Sequence, residues 1–384
     1  MYDLIIKNAK LIDNSITDIA IQHGKIVEIG KNIIATSNQV LDLKNQHYVS
    51  AGWIDSHTHC FAHSPIYHDE PDLIGIEAGV TAVVDAGSVG ALNIDEFYEL
   101  AMQAKTHVYS FLNISKIGLI RQSELADMQD IDVPLFDQTL VKYPNFIIGI
   151  KVRISRSVVG ENGILPLIKA KEMQKKTGLP LMIHVGNNPP ELDEIADLLT
   201  KGDIITHCFN GKPNQIFDKQ NNLRDSIKRA IERGVILDIG HGGESFSFSV
   251  AERAKCLDVY PNTISSDIYS KNRLQGPVFS LANVMNKFIC LGYSKTRIID
   301  SVTKNAAQIL HLNNKGEIAI GYDADLTIFD IKQQTVSLTD SEGEQRECHE
   351  QFVPLAAIAT NTTKKVTHIE ITQEGSKNEL RISN

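Results

Sequence analysis

The chain has 384 residues, more than one ordinary domain needs, and its 42% hydrophobic content is enough for a large core. A formal net charge of −9 and the lack of any long Lys/Arg run argue against nucleic acid or anionic membrane surfaces as partners. The five cysteines, an odd number without zinc-finger or Cys-x-x-Cys spacing, read as reduced thiols of a cytoplasmic protein.

The N-terminal run Met1-Tyr2-Asp3-Leu4-Ile5-Ile6-Lys7 lacks a basic leader and an uninterrupted apolar core, so it reads as a strand and not as a signal peptide. More short strands follow to about residue 50, with a turn at His23-Gly24-Lys25. The chain then alternates, with strands predicted at 53–56, 81–85, 108–114, 146–154, 181–185, 204–208, 235–239 and 263–267. Helical stretches separate them. In 162–177, for example, Leu167, Ala170 and Met173 recur at helical spacing and Gly178 supplies a stop. Eight strands alternating with helices predict an α/β chain built on a (β/α)8 TIM barrel of ~250 residues. A last helix is predicted over 295–310, after which strand-like segments return at 321–329 and 366–371. There is no internal repeat, low-complexity tract or apolar run long enough to cross a membrane.

Chemistry concentrates at the predicted strand ends, where active residues of such barrels sit. His57 and His59 in Gly52-Trp53-Ile54-Asp55-Ser56-His57-Thr58-His59 stand at i and i+2, on one strand face, and offer two imidazoles to one ion. Lys151 lies within Ile147-Ile148-Gly149-Ile150-Lys151-Val152-Arg153-Ile154, where a bare ammonium would cost several kcal/mol, so something must remove its charge. Leu181-Met182-Ile183-His184, Ile204-Ile205-Thr206-His207 and Thr263-Ile264-Ser265-Ser266-Asp267 each deliver a ligand-type residue where an apolar run ends. Cys60 and Cys208 follow ligands directly, and strand alternation turns them to the outer packing face.

Four further residues are candidates for substrate binding. Arg153, two beyond Lys151, faces the same side one pleat nearer the mouth; it could grip a carboxylate or form a structural ion pair at the rim. Tyr269, two beyond Asp267, and Asn113, at the end of the third strand, are placed similarly. His241 sits in Gly240-His241-Gly242-Gly243, whose glycines suit close backbone approach to a ligand or a plain turn.

In order and context these residues resemble the amidohydrolase superfamily of metal-dependent hydrolases, in its binuclear branch with a carboxylated lysine, and the likeness runs over most of the chain. The resemblance implies two divalent ions, usually zinc: His57, His59 and Asp267 on the inner one, His184 and His207 on the outer one. It implies CO2 bound to Lys151 as a carbamate bridging both, with Asp267 shuttling the proton of a shared hydroxide. It further implies a small β-sandwich made of residues 1–51 and 316–384 beside a barrel of 52–315, and Gly321-Tyr322-Asp323-Ala324-Asp325-Leu326 resembles a marker of that unit. Asn305-Ala306-Ala307 stands where Asn-Pro-Ala is usual.

Departures narrow the substrate. The dihydroorotase arginine two residues after the second histidine is Phe61 here, as is the aspartate usual in D-aminoacylases. The deaminase glutamate three residues after the strand-5 histidine is Asn187. Scaffold relatives that lost the metal lack ligands, whereas all six positions are filled here. In Lys-Val-Arg, His-Val-Gly-Asn and Gly-His-Gly-Gly-x-Ser-Phe-Ser-Phe the chain is most similar to a group often labelled dihydroorotase, whose members resemble deacetylases of acetylated α-hydroxy or α-amino carboxylates. The expected partner is a small-molecule carboxylate, with a homo-oligomer compatible. The alternatives are a cyclic amidase of the dihydroorotase or dihydropyrimidinase kind, an adenine or cytosine deaminase and a non-catalytic scaffold.

Overall fold

The computed structural model describes residues 1–360 and the backbone of Val366–Glu370. The remainder of the expected C-terminal segment, 361–365 and 371–384, lies outside the described residues. Two sheets organise the chain.

The first sheet joins both ends of the sequence. β1 (Tyr2–Lys10), β2 (Ile16–Gln22), β3 (Lys25–Gly30), β4 (Ser37–Asp42) and β5 (Tyr48–Ala51) come from the N-terminus. The second comprises β6 (Trp53–Thr58), β7 (Val80–Ala86), β8 (His107–Asn113), β9 (Ile147–Ile154), β10 (Leu181–Val185), β11 (Ile204–Thr206) and β12 (Ile236–Asp238). From the C-terminus β13 (Leu326–Thr339), β14 (Gln345–Thr360) and β15 (Val366–Glu370) return to the first sheet, in the order β15-β14-β13-β5-β1-β2-β3 with β4 on β1. Leu4, Ile6, Ile19, Ile21, Ile26, Leu326, Ile328 and Ile358 form one buried cluster there, which ties the two chain ends together.

In the second sheet every neighbouring pair is parallel and follows chain order. These strands are buried on both faces, so they read as continuous apolar runs and not as alternating ones. Its two edges are bridged by one segment, Asp238 pairing with Thr263 and Thr58 with Ile268, so the sheet curls and meets itself through residues 263–268. The predicted eighth strand is therefore a bridging segment and not a regular strand.

Two helix expectations shift. The helix expected from 162 begins at Leu165, because Gly163 takes φ 53° and Pro166 suits a first turn; Gly178 ends it in the left-handed region, as expected. The helix expected over 295–310 is broken into Lys295–Val302 and Lys304–Ile309 at Thr303, whose hydroxyl donates to Ile299 O at 2.6 Å. Among the described residues no helix is long and apolar enough to cross a membrane.

Candidate metal centre

All six ligand-type residues converge at the C-terminal ends of the parallel strands. His57 Nε2 and His59 Nε2 lie 3.3 and 3.1 Å from one oxygen of Asp267, Lys151 Nζ lies 3.4 Å from His57 Nε2, and His207 Nε2 lies 2.8 Å from His184 Nδ1. The nearest ligand atoms of His57, His207 and Asp267 fall within 4.8 Å of one another. His207 and Asp267 sit at φ 66° and 49°, a region costly for residues with a Cβ, which breaks the extended backbone after β11 and within the bridging segment.

Three of the four imidazoles are fixed from behind. His57 Nδ1 meets Thr206 Oγ1 at 2.8 Å, His59 Nδ1 meets Ser88 Oγ at 2.8 Å, and His207 Nδ1 meets Gly240 O at 2.6 Å. The Nε2 atoms of these three rings thus face the common space, as in metal-ligating histidines. Burial, then neighbouring cations, holds His57 and His184 well below the usual imidazole range; His207 falls to about 4. They are neutral bases at neutral pH, the form that binds metals. Burial alone would raise the Asp267 carboxyl, but the His59 hydrogen bond and its position among His207, His59 and Lys151 hold it below its ordinary value, so it is an anion.

Lys151 is buried with Met182 Sδ at 3.3 Å and His57 as its hydrogen-bonding neighbours. Among the described residues no carboxylate is within hydrogen-bonding distance, and burial lowers its amine to about 7. Neutral nitrogens, one carboxylate and an uncharged amine able to take up CO2 make a donor set that fits divalent ions such as zinc.

Sequence reading missed what lies beneath. Asp238 accepts from Thr206 at 2.7 Å, Thr263 at 2.6 Å and Ser265 at 2.8 Å, and so supports the Thr206 hydroxyl that holds His57. Asp55 accepts from Ser266 N at 3.0 Å and from the Ser266 hydroxyl, next to Asp267; burial pushes its carboxyl up to about 7. Asp85 accepts from Ser88 N at 2.7 Å behind His59. Their signal was available as an aspartate ending an apolar run, in Trp53-Ile54-Asp55, Val83-Val84-Asp85 and Ile236-Leu237-Asp238.

A cavity of about 220 Å³ opens over the cluster, lined by His57, His59, Lys151, His184 and Asp267 together with Tyr67, Arg153, Asn187, Lys212 and Tyr269. Tyr67 stacks on His59 with ring centres 5.4 Å apart and meets Tyr269 edge-on at 4.9 Å. Arg153 lines the cavity and also forms an ion pair, the other role expected of it, with Glu124 at 3.2 Å, a partner that was not foreseen. Two candidates are corrected. Asn113 is not in the cavity wall: its amide is spent on Gly87 O at 3.1 Å and Ser115 N at 2.9 Å. His241 is buried away from it, stacked on Phe246 at 4.7 Å, with its ring nitrogens at Gly242 O, 2.8 Å, and Lys287 Nζ, 2.7 Å.

The glycines around His241 do serve close approach. A Cβ on Gly240 would meet Thr206 Oγ1 at 2.3 Å and His207 Nδ1 at 2.8 Å, and one on Gly242 would meet Asp267 Oδ2 at 2.4 Å. Cys60 and Cys208 pack in the apolar cluster outside the parallel sheet, as expected.

Comparison with known proteins finds relatives over most of the chain. A family profile described as a deacetylase-like composite domain matches residues 318–360. A deacetylase of Enterococcus faecalis is 47% identical over 93% of this chain and 97% of its own, and a deacetylase of Agrobacterium fabrum is 35% identical over 90% and 86%. A crystal structure of an adenine deaminase superposes with a TM-score of 0.93 at 46% identity over 96% of this chain and all of that one. One of a dihydroorotase does so with a TM-score of 0.88 at 32% identity over 97% of this chain and all of its own.

Proposed function

Since this chain belongs to the amidohydrolase superfamily, in its deacetylase-like group, and is a metal-dependent amidohydrolase, we propose that it cleaves a small acyl group, acetyl first, from an amide or ester of an α-substituted carboxylate. The observation that carries this reading is the buried guanidinium of Arg153 in the same small cavity wall as the ligand cluster, two residues beyond Lys151. A cavity of about 220 Å³ suits a compact substrate, and a fixed cation inside it suits an anionic one.

In this reading His57, His59 and Asp267 would hold one divalent ion and His184 and His207 a second, zinc being the first choice, and Lys151 as its CO2 adduct would supply further ligand oxygens. When bound, such ions lower the pKa of water and polarise a carbonyl oxygen. The chain's own residues do the rest. Asp267, an anion beside His57 and His59, accepts the proton of the attacking water and hands it to the leaving nitrogen or oxygen. Arg153 holds the carboxylate, and Tyr67 and Tyr269 narrow the entrance. The same reading takes residues 52–315 as a (β/α)8 barrel and 1–51 with 316–384 as a small β-sandwich, in a cytoplasmic enzyme.

The names of the similar structures supply the competing substrates. Asn187, in the cavity wall where deaminases carry a glutamate, leaves no carboxylate there for proton transfer to a purine. The test is turnover of zinc-loaded protein on acetylated α-hydroxy and α-amino acids, dihydroorotate and adenine. The acetylated acids are expected to exceed the other two in kcat/KM by about 10²-fold or more. Faster turnover of adenine or dihydroorotate would overturn the substrate class.

A further inference from the structure

Arg153 is held in an unusual way. A guanidinium that serves only an internal ion pair does best with its fork set bidentately on the carboxylate. Here a single nitrogen, Nη1, carries both contacts, at 3.3 and 3.2 Å from the two oxygens of Glu124. Among the described residues neither Nε nor Nη2 has a protein acceptor, although Arg153 is only 5% exposed and lines the cavity. Neither atom is among the fully buried groups that lack a partner, so this edge, with its three N–H groups, is open to the cavity. The Cα register pairs Arg153 with His184 on β10, so the unused edge belongs to the strand level of the ligands.

Glu124 is itself fully buried, in the loop between β8 and the helix Val133–Lys142. The same loop supplies Leu119 and Gln122 to the cavity wall. Its carboxyl is pushed up by burial and drawn down by Arg153.

Resting on the function proposed above, we infer that Glu124 is a positioning residue for specificity, holding one nitrogen of Arg153 so that the remaining Nε/Nη2 edge is presented to the substrate carboxylate. The loop that walls the cavity thereby also selects the charge of what enters it.

A matched substrate pair tests this: an O-acetyl α-hydroxy acid with a free carboxylate and its neutral methyl ester, which share the scissile acetyl group. The wild type is expected to prefer the free acid. Glu124→Gln is expected to raise KM for the acid about tenfold or more, with kcat within about threefold and the ester unaffected, and Glu124→Asp to recover part of the loss. Turnover of the ester serves as the check that each variant is folded and metal-loaded. An acid KM that is unchanged or lower in Glu124→Gln would mean that Glu124 only neutralises Arg153, and equal losses on acid and ester would mean a structural role; either overturns the inference alone. A wild type without preference for the acid overturns the proposed function, and the role of Glu124 with it.

Discussion

At the scale of single residues, the site is built from groups whose ordinary charge has been removed. Lys151 is the clearest case, since burial brings its amine to about 7. Lys151→Ala is expected to lower bound metal and turnover together, because the adduct proposed there supplies ligand atoms to both ions. Metal analysis decides it: full occupancy and activity without added short carboxylic acids would remove the bridging role. Asp267→Asn is expected to keep the fold and lose about 10²-fold or more in kcat, since an amide neither supplies the ligand charge nor accepts a proton. Retention of more than about a tenth of the turnover would place the proton transfer elsewhere.

Lys287, buried against His241 and Pro277 O, is likewise lowered to about 7 by burial. The sign follows from proton counting. Between about 7 and 10.5 the unfolded chain carries protons on Lys151 and Lys287 that the metal-free folded chain does not, so stability rises with pH by up to about 1.4 kcal/mol per unit per lysine. Below about pH 7 both states are protonated and these two contributions to the slope vanish. Urea unfolding of chelator-treated protein is expected to show the rise, with a smaller slope in Lys287→Met. An unchanged slope in that variant would mean that the folded protein keeps Lys287 charged.

At the scale of elements, strand ends and the loops behind them decide the geometry. The run Gly240–Gly243 was legible in the sequence as a place of close approach, but not what approaches. Gly242 at φ 55° leaves no room for a Cβ beside Asp267, whereas Gly243 has nothing nearer than the Tyr269 hydroxyl at 3.9 Å. Gly242→Ala is therefore expected to cost about 1–2 kcal/mol of stability and about 10²-fold in turnover, and Gly243→Ala little of either. Thermal unfolding and kcat on the same preparations check this, and comparable effects at both positions would show that steric contact with Asp267 is not the cause. The buried aspartates Asp55, Asp85 and Asp238 escaped the sequence reading for a related reason. Asp55 and Asp238 gain their roles from hydroxyls far along the chain, here Ser266 and Thr206, whose proximity no linear spacing reveals, whereas Asp85 meets Ser88 only three residues on.

At the scale of the whole molecule, the long β13–β14 hairpin leaves its own sheet and reaches the site. Leu338, Cys348 and Phe352 belong to the large apolar cluster around the parallel sheet, and Phe352 N donates to Asn286 at 2.7 Å. At the tip, Asp340 accepts from Phe248 N at 2.9 Å, and the Ser341 hydroxyl donates to Gly242 O at 3.1 Å. The C-terminal strands thus brace the loop that packs on Asp267. Asp340→Ala removes an acceptor from the first turn of the helix Phe248–Cys256 and from Glu342 N and Glu344 N, and is expected to lower stability by about 1–3 kcal/mol. An unchanged melting temperature would show that the tip rests on the parallel-sheet unit without supporting it.

The sequence by itself brought out the six ligand-type residues and the alternating layout. His57, His59, His184, His207 and Asp267 come where apolar β runs end, and Lys151 lies inside one; such runs are buried side by side with their ends on one rim. Cys60 and Cys208 could be turned outward because the alternation of side chains along a strand is a local property. What faces the cavity was decided by the tertiary structure alone. Asn113 and His241 have the right residue types near the right strand ends, yet Gly87 O and Ser115 N occupy the one and Gly242 O and Lys287 the other. Glu124 lies in a loop of no distinctive pattern, and only folding sets it against Arg153, because a buried charge finds its partner through space and not through spacing along the chain.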